Sequence, residues 1–185
     1  MTERPADASP APAPADAAPL LFICTGNATR SVIAGVLAAR AYPARPVRTA
    51  GTFVIEGQPV SWRTRRALET LAITADAHRS TQLTAEHLAE AAVVVALACE
   101  HVTYIRRNHP EAAAKTATLH RLARDLADGP APLAERVAAL SLDTVTLDLE
   151  WEDVVDPGGG EVEDYLACAA EIDGLMRTVL PRLDV

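Results

Sequence analysis

The feature that most constrains this chain is a set of short, unbroken apolar runs, each closed by a turn or a helix signal. Leu20-Leu21-Phe22-Ile23 leads into a Gly-containing turn, and Ala92-Val93-Val94-Val95-Ala96-Leu97 into a more polar stretch. A strand that is apolar at every position, rather than at alternate ones, is one whose two faces are both covered. Val47-Arg48-Thr49-Ala50, stopped by Gly51, and Thr116-Ala117-Thr118-Leu119 read as two further strands. Helical segments stand between them: Ser31 to Ala41, Trp62 to Leu71, a helix capped by Thr84 and running through Ala91, and His101 to Asn108, halted at Pro110. Residues 121–150 hold two Ala/Leu/Arg-rich helical pieces around the break Gly129-Pro130-Ala131-Pro132. From Val162 to Leu183 apolar residues recur at three- and four-residue steps, which predicts one long amphipathic helix. Strands alternating with helices predict an α/β fold on a parallel sheet.

The 185 residues suffice for one domain with a sizeable core. Residues 1–18 interleave Pro with Ala and Asp and offer no face to pack, so a disordered leader is expected there and a single folded domain over 19–185. With 17 basic and 25 acidic residues the formal charge is −8, which argues against nucleic acid as a partner. No apolar run approaches the roughly 18 residues of a membrane helix. The start of the chain also lacks the charged-then-apolar pattern of an export signal. A cytoplasmic protein touching no membrane is expected, with Cys24, Cys99 and Cys168 as free thiols.

In such sheets, ligands bind where a strand's carboxyl end meets the next helix. The first junction reads Cys24-Thr25-Gly26-Asn27-Ala28-Thr29-Arg30-Ser31. Gly26 and Asn27 are the residue types most able to adopt left-handed backbone angles, so the loop amides can turn inward as a cradle before a helix N-terminus. That cradle suits a tetrahedral dianion, which a guanidinium at Arg30 can grip in a two-pronged fork. The same positive field favours the thiolate at Cys24, making it a candidate nucleophile. The plainer reading is an ordinary buried cysteine at a strand end. A second feature weighs against that reading: Asp156-Pro157 followed by Gly158-Gly159-Gly160, an extended loop able to carry a carboxylic acid over an anion site.

Taken in order, these residues resemble the low-molecular-weight protein tyrosine phosphatase family, which includes thiol-linked arsenate reductases. The resemblance runs over about residues 19–183. Leu20 to Ser31 looks like the family's strand and phosphate loop, and Thr49-Ala50-Gly51-Thr52 like its Ser-Ala-Gly-Thr element. Gly57-Gln58-Pro59, His78-Arg79-Ser80 and Gln82-Leu83-Thr84 match further stretches, and Asp156-Pro157 falls where the family keeps its general acid. The resemblance implies a flavodoxin-like three-layer sandwich with a four-stranded parallel sheet. It implies Cys24 as nucleophile, Arg30 as phosphate clamp and Asp156 as acid and then base. Thr25, Gly26, Asn27, Ala28, Thr29 and Ser31 would line the phosphate. Ser31 would donate to the thiolate, and Asn27 would hold the loop backbone, linked to Ser31, Thr49 and His78. The sequence departs from the family in lacking a second Cys beside Arg30, in Gly35 where a Glu is common, and in Gly158-Gly159 where eukaryotic-type members place aromatics. Phe53 is the one nearby aromatic after Thr52, and Trp151 is a candidate substitute wall.

The expected function is therefore a phosphomonoesterase using a phosphocysteine, acting on phosphotyrosine protein or on a small phosphorylated metabolite, as in a biosynthetic pathway. Two alternatives stand beside it: an arsenate reductase served by an external small thiol, and a non-catalytic phosphate-binding protein on the same fold. Cys99 and Cys168, 69 residues apart on an expected strand end and core helix away from the loop, lack the spacing of an internal thiol relay. No cofactor is expected. No metal is expected either, because His78, His87, His101, His109 and His120 show no ligand spacing. The oligomeric state is left open.

Overall fold

The computed structural model describes residues 18–183, so the expected leader lies, apart from Ala18, outside the described residues. Four parallel strands, β1 (Leu20–Cys24), β2 (Val47–Gly51), β3 (Val93–Ala96) and β4 (Thr116–Thr118), form one sheet in the order β2-β1-β3-β4. Leu20 of β1 lies between Val47 and Val93, and Cys24 pairs with Gly51. Side chains of a strand alternate between faces. Leu20, Phe22, Cys24, Val93 and Val95 enter the larger core, built with α1 (Arg30–Ala41), α2 (Trp62–Thr70), α5 (Leu119–Asp125), α6 (Leu133–Ala138) and α7 (Val162–Leu183). Leu21, Ile23, Val94 and Ala96 enter a second core under α3 (Ala85–Glu90) and α4 (Cys99–Asn108). The unbroken apolar runs are thus strands covered twice, and the fold is the expected flavodoxin-like three-layer sandwich. Because the chain crosses from β2 over β1 to β3, the carboxyl ends of β1 and β3 flank the point where strand order reverses, the usual place for a ligand.

Local signals set most boundaries. Thr84 caps α3 as expected: its Oγ1 accepts from His87 N, and His87 Nδ1 accepts from Thr84 N, both at 3.3 Å. The helix expected from His101 begins two residues earlier, at Cys99. Its own cap residue, Ala98, has no side-chain acceptor. Asp153 supplies one instead, with Oδ1 accepting from Cys99 N at 2.6 Å.

Residues 139–161 run without helix or strand, yet the segment is firmly anchored. Its central side chain, Glu152, is 0% exposed. It accepts hydrogen bonds from Thr118 Oγ1 at 2.8 Å, Arg121 Nε at 2.9 Å and the Asp148 amide at 2.9 Å, and from Arg121 Nη2. Arg106 Nη2 donates to Leu142 O and Val145 O, and Val154 N to Leu97 O. Trp151 lies against the guanidinium groups of Arg121 and Arg124, at 5.3 and 3.6 Å from its ring centroid. It is therefore part of this anchor and not the wall that its place in the sequence suggested.

Burial works against the charge on Glu152, but the bonds from Arg121, the Asp148 amide and Thr118 outweigh it and hold the carboxyl below its ordinary value. A carboxylate depressed in the folded state contributes stability above its unfolded pKa, and the contribution fades as pH falls through the folded value. Glu152→Gln takes from the buried Arg121 the carboxylate that two of its nitrogens share, leaving it the longer 3.4 Å pair with Asp125, and should lower unfolding free energy in urea by about 2 kcal/mol at neutral pH. The loss should shrink toward acid, where the parent gives up the same interaction. A neutral-pH change below about 0.5 kcal/mol would remove Glu152 as the anchor.

Candidate active site

β1 ends at Cys24 and α1 begins at Arg30, so residues 25–29 form a tight loop at the sheet's switch point. Gly51 allows the end of β2 to pass directly beside it. A Cβ there would stand 2.5 Å from Thr25 O and 2.9 Å from Asn27 N, and would also meet Val54 Cγ1. Asn27 carries the loop's left-handed turn, at φ 49°, and is fully buried. Such a backbone costs an L-residue about 1–2 kcal/mol, and here hydrogen bonds on every side hold it. Asn27 Nδ2 donates to Ser31 Oγ at 3.0 Å, and its Oδ1 accepts from Thr81 N at 2.9 Å. Its carbonyl accepts from Ser80 Oγ at 2.9 Å and lies 2.8 Å from His78 Nε2, which must carry the proton because a carbonyl can only accept.

Thr49, expected in this network, is not one of Asn27's partners. Its methyl instead faces Gly35, where an added Cβ would collide with Thr49 Cγ2. The departure at Gly35 is thus a packing requirement of α1 against β2.

With one lone pair of Ser31 Oγ taken by Asn27, its proton is free to point at Cys24 Sγ, 3.1 Å away. Cys24 is buried at the base of the loop. Thr29, at the cap of α1, makes no capping bond; its Oγ1 lies 2.9 Å from Thr64 Oγ1. The first amides of α1 therefore carry no side-chain cap. A Cβ at Gly26 would meet nothing within 4 Å, so the loop is open on that side, and Ala28 O accepts from Thr64 Oγ1.

The buried Arg30 ties this loop to the far end of the chain. Nη1 donates to Val154 O at 3.2 Å, and Nη2 donates to Thr25 Oγ1 at 3.2 Å and pairs with Asp156 Oδ2 at 2.6 Å. Asp156 is half exposed, and its Oδ1 accepts from Gly158 N at 2.9 Å, which fixes the turn after it. The fold thus brings together Cys24, Arg30, Ser31 and Asp156, with Asn27 and His78 behind the loop.

The remaining carboxylates and thiols divide by position. Glu152 is committed to the anchor; Asp153 both caps α4 and, with Glu100 and Glu150, lines a cleft of about 770 Å³ that reaches Arg30 and Asp156. A second cavity of about 350 Å³ lies on the other side of Asp156 and includes Pro157, Asp164, Cys168 and Glu171 in its wall. Cys168 therefore lies beside Asp156 and shares the larger core with Cys24, contrary to its expected remoteness from the loop. Its thiol is pushed up to about 12 by burial, although Arg30 pulls the other way, and it also senses Asp156 and Cys24. Burial and a hydrogen bond to Asp153 push Cys99 up to about 12 as well. Both stay protonated and unreactive at neutral pH. Glu100 and His101, which have no expected role at the site, meet the Thr25 hydroxyl. Their only local signal was a polar pair at the start of a helix.

The family described as low molecular weight phosphotyrosine protein phosphatase matches residues 19–135. A protein-arginine-phosphatase of Geobacillus stearothermophilus is 33% identical over 165 residues, spanning 89% of this chain and 95% of that protein. The solved structure of the YwlE arginine phosphatase from Geobacillus stearothermophilus superposes with a TM-score of 0.71 at 32% identity, covering 89% of this chain and 92% of that one. A low molecular weight protein tyrosine phosphatase from T. tengcongensis gives a TM-score of 0.69 at 28% identity, over 86% and 95% of the two chains. The loop and the buried guanidinium lie within the matched residues 19–135, and the chain belongs to the low molecular weight phosphotyrosine protein phosphatase family and is a phosphatase.

Proposed function

We propose that this phosphatase works through a phosphocysteine at Cys24 and that its substrates are proteins phosphorylated on arginine. The observation that carries the mechanism is the 3.1 Å approach of Ser31 Oγ to Cys24 Sγ beneath a buried Arg30 paired to Asp156. The amides of Thr25, Gly26, Asn27, Ala28, Thr29 and Ser31 hold the phosphoryl oxygens, and the Arg30 fork grips two of them. To do so, Arg30 Nη2 exchanges Asp156 for phosphate. Substrate arrival therefore frees the carboxylate, which takes up a proton from solvent and turns to the leaving atom. The Cys24 thiolate attacks phosphorus, the bond to the leaving nitrogen or oxygen breaks, and that atom takes a proton from Asp156. In the second step Asp156, now a carboxylate, takes a proton from water as the water attacks phosphorus. Phosphate leaves and the thiolate returns. The reducing cytoplasm, where Cys24 stays free, suits this chemistry.

Three features support the substrate class. The cleft beside Arg30 is walled by Glu100, Glu150, Asp153 and Asp156, a field that favours a cationic guanidinium product over a neutral phenol. Phe53, at 81% exposure, together with the exposed Ile55, Leu149 and Val155, offers apolar surface for a polypeptide around the mouth. Relatives at 33% and 32% identity carry the arginine phosphatase name. Phosphotyrosine is the second reading, supported by the 28% identical tyrosine phosphatase. An arsenate reductase with an internal relay fits poorly, because both other thiols are held protonated.

A turnover panel of phosphoarginine and phosphotyrosine peptides, sugar and nucleoside phosphates, and arsenate with small thiols tests the substrate class. Phosphoarginine peptides should exceed phosphotyrosine peptides in kcat/KM by about tenfold or more, a difference within reach of charge complementarity at one site. A reversed ratio would return the assignment to phosphotyrosine, and turnover confined to metabolites or arsenate would contradict both.

Asp156→Asn tests the acid. A departing guanidine nitrogen needs its proton, whereas nitrophenolate leaves without one. Burst-phase rates should fall by about 10²–10⁴-fold on phosphoarginine and by at least about tenfold less on nitrophenyl phosphate. Equal losses in the burst phase would take Asp156 out of the acid role.

A further inference from the structure

The Thr25 hydroxyl is a junction whose geometry fixes the state of a neighbouring histidine. Its Oγ1 lies 3.2 Å from Arg30 Nη2, 2.9 Å from Glu100 Oε1 and 3.0 Å from His101 Nε2. A threonine hydroxyl has one proton and two lone pairs. Arg30 can only donate, so it occupies one lone pair. The Glu100 carboxylate can only accept, so it receives the proton. The remaining lone pair must then receive a proton from His101 Nε2, which also lies 3.2 Å from Glu100 Oε1. A neutral ring protonated at Nε2 carries a bare lone pair at Nδ1, and Nδ1 is a buried atom with no partner. The two observations agree, because a buried orphan acceptor is tolerated better than a buried orphan N–H.

We propose that His101 is a positioning residue of the phosphate site, acting through Thr25 on Arg30. Resting on the phosphocysteine reading above, the inference assigns a task to a side chain that touches neither phosphate nor the reacting atoms. Arg30 Nη2 has two partners, Asp156 and Thr25, and catalysis requires it to give up Asp156. The Thr25 hydroxyl is then the remaining side-chain anchor of that nitrogen, and its lone pair faces Arg30 only while its proton is drawn to Glu100 and its other lone pair is filled by His101. The ring is 1% exposed, on the first turn of α4, where the Asp153 cap on Cys99 fixes the helix start. Burial, and then the charge of Arg30, hold its pKa down to about 4 against the opposing pull of Glu100, Asp156 and Asp153, so the ring remains neutral through the neutral range.

The test compares His101→Asn, His101→Gln, Thr25→Val and the double variant Thr25→Val/His101→Asn by steady-state kinetics on nitrophenyl phosphate. Arg30→Lys is run beside them. Glutamine can place an N–H where Nε2 stands; asparagine cannot reach. His101→Asn should lower kcat by about tenfold or more with KM changed by less than about threefold, the size of effect expected when a transition-state donor is misaimed. His101→Gln should recover most of that loss. The double variant should be no worse than Thr25→Val alone, because both changes cut the same link. Full activity in His101→Asn, losses in His101→Gln equal to those in His101→Asn, or additive losses in the double variant would each overturn the proposal. Should His101→Asn fail to fold, Thr25→Val and His101→Gln decide: a tenfold fall in the first with recovery in the second supports it, and a fully active Thr25→Val overturns it. Near-normal kinetics in Arg30→Lys would instead mean that the phosphate site itself is misplaced, which separates failure of this inference from failure of the reading beneath it.

Discussion

The Arg30 guanidinium is the interaction on which the rest of the site depends. It is buried at the start of α1, and its donors go to Thr25, to the Val154 carbonyl and to Asp156, the last of these 126 residues away in sequence. A buried cation without such partners would be prohibitively costly. The loop after β1 and the irregular segment before α7 therefore hold each other in place through one side chain. In the proposed mechanism the same donors serve the chemistry: a phosphate that takes Arg30 Nη2 from Asp156 would replace one negative partner with another and release a carboxylate beside the leaving atom.

The segment carrying Asp156 shows how irregular chain is made rigid. It lacks a backbone ladder, so side chains satisfy its polar groups. Glu152 takes four hydrogen bonds, Arg106 takes two carbonyls, and Asp153 caps α4. The glycines begin only after Asp156-Pro157. Asp156 thus stands where the anchored stretch passes into a hydrogen-bonded glycine turn, with one carboxylate oxygen on Arg30 and the other on Gly158 N.

Much of this was legible in the sequence because it is local. The continuous apolar runs of β1 and β3, the Thr84 cap and the three- and four-step periodicity of α7 each follow from nearby residues, and the structure has these elements within a residue or two. What the sequence did not give follows from distant partners. The true start of α4 depends on a cap supplied by Asp153. Trp151 stacks on Arg121 and Arg124 rather than walling the mouth, and Thr49 packs on Gly35 instead of bonding Asn27. The apolar steps put Cys168 in a core helix, but the face it presents to Asp156 depends on how α7 lies across α1 and α2. His101 gave almost no local signal, since only the assembled fold sets its ring against Thr25.

The account's central claim is that the phosphoryl group passes through Cys24. Rapid-quench mixing of Asp156→Asn protein with nitrophenyl phosphate, whose leaving group needs no acid, followed by peptide mapping, tests it directly. With the base for the second step removed, a phosphoryl adduct should accumulate on the peptide containing Cys24, in near-stoichiometric amount, before steady turnover. Product formed with no adduct at any time, or an adduct on a different residue, would contradict the account.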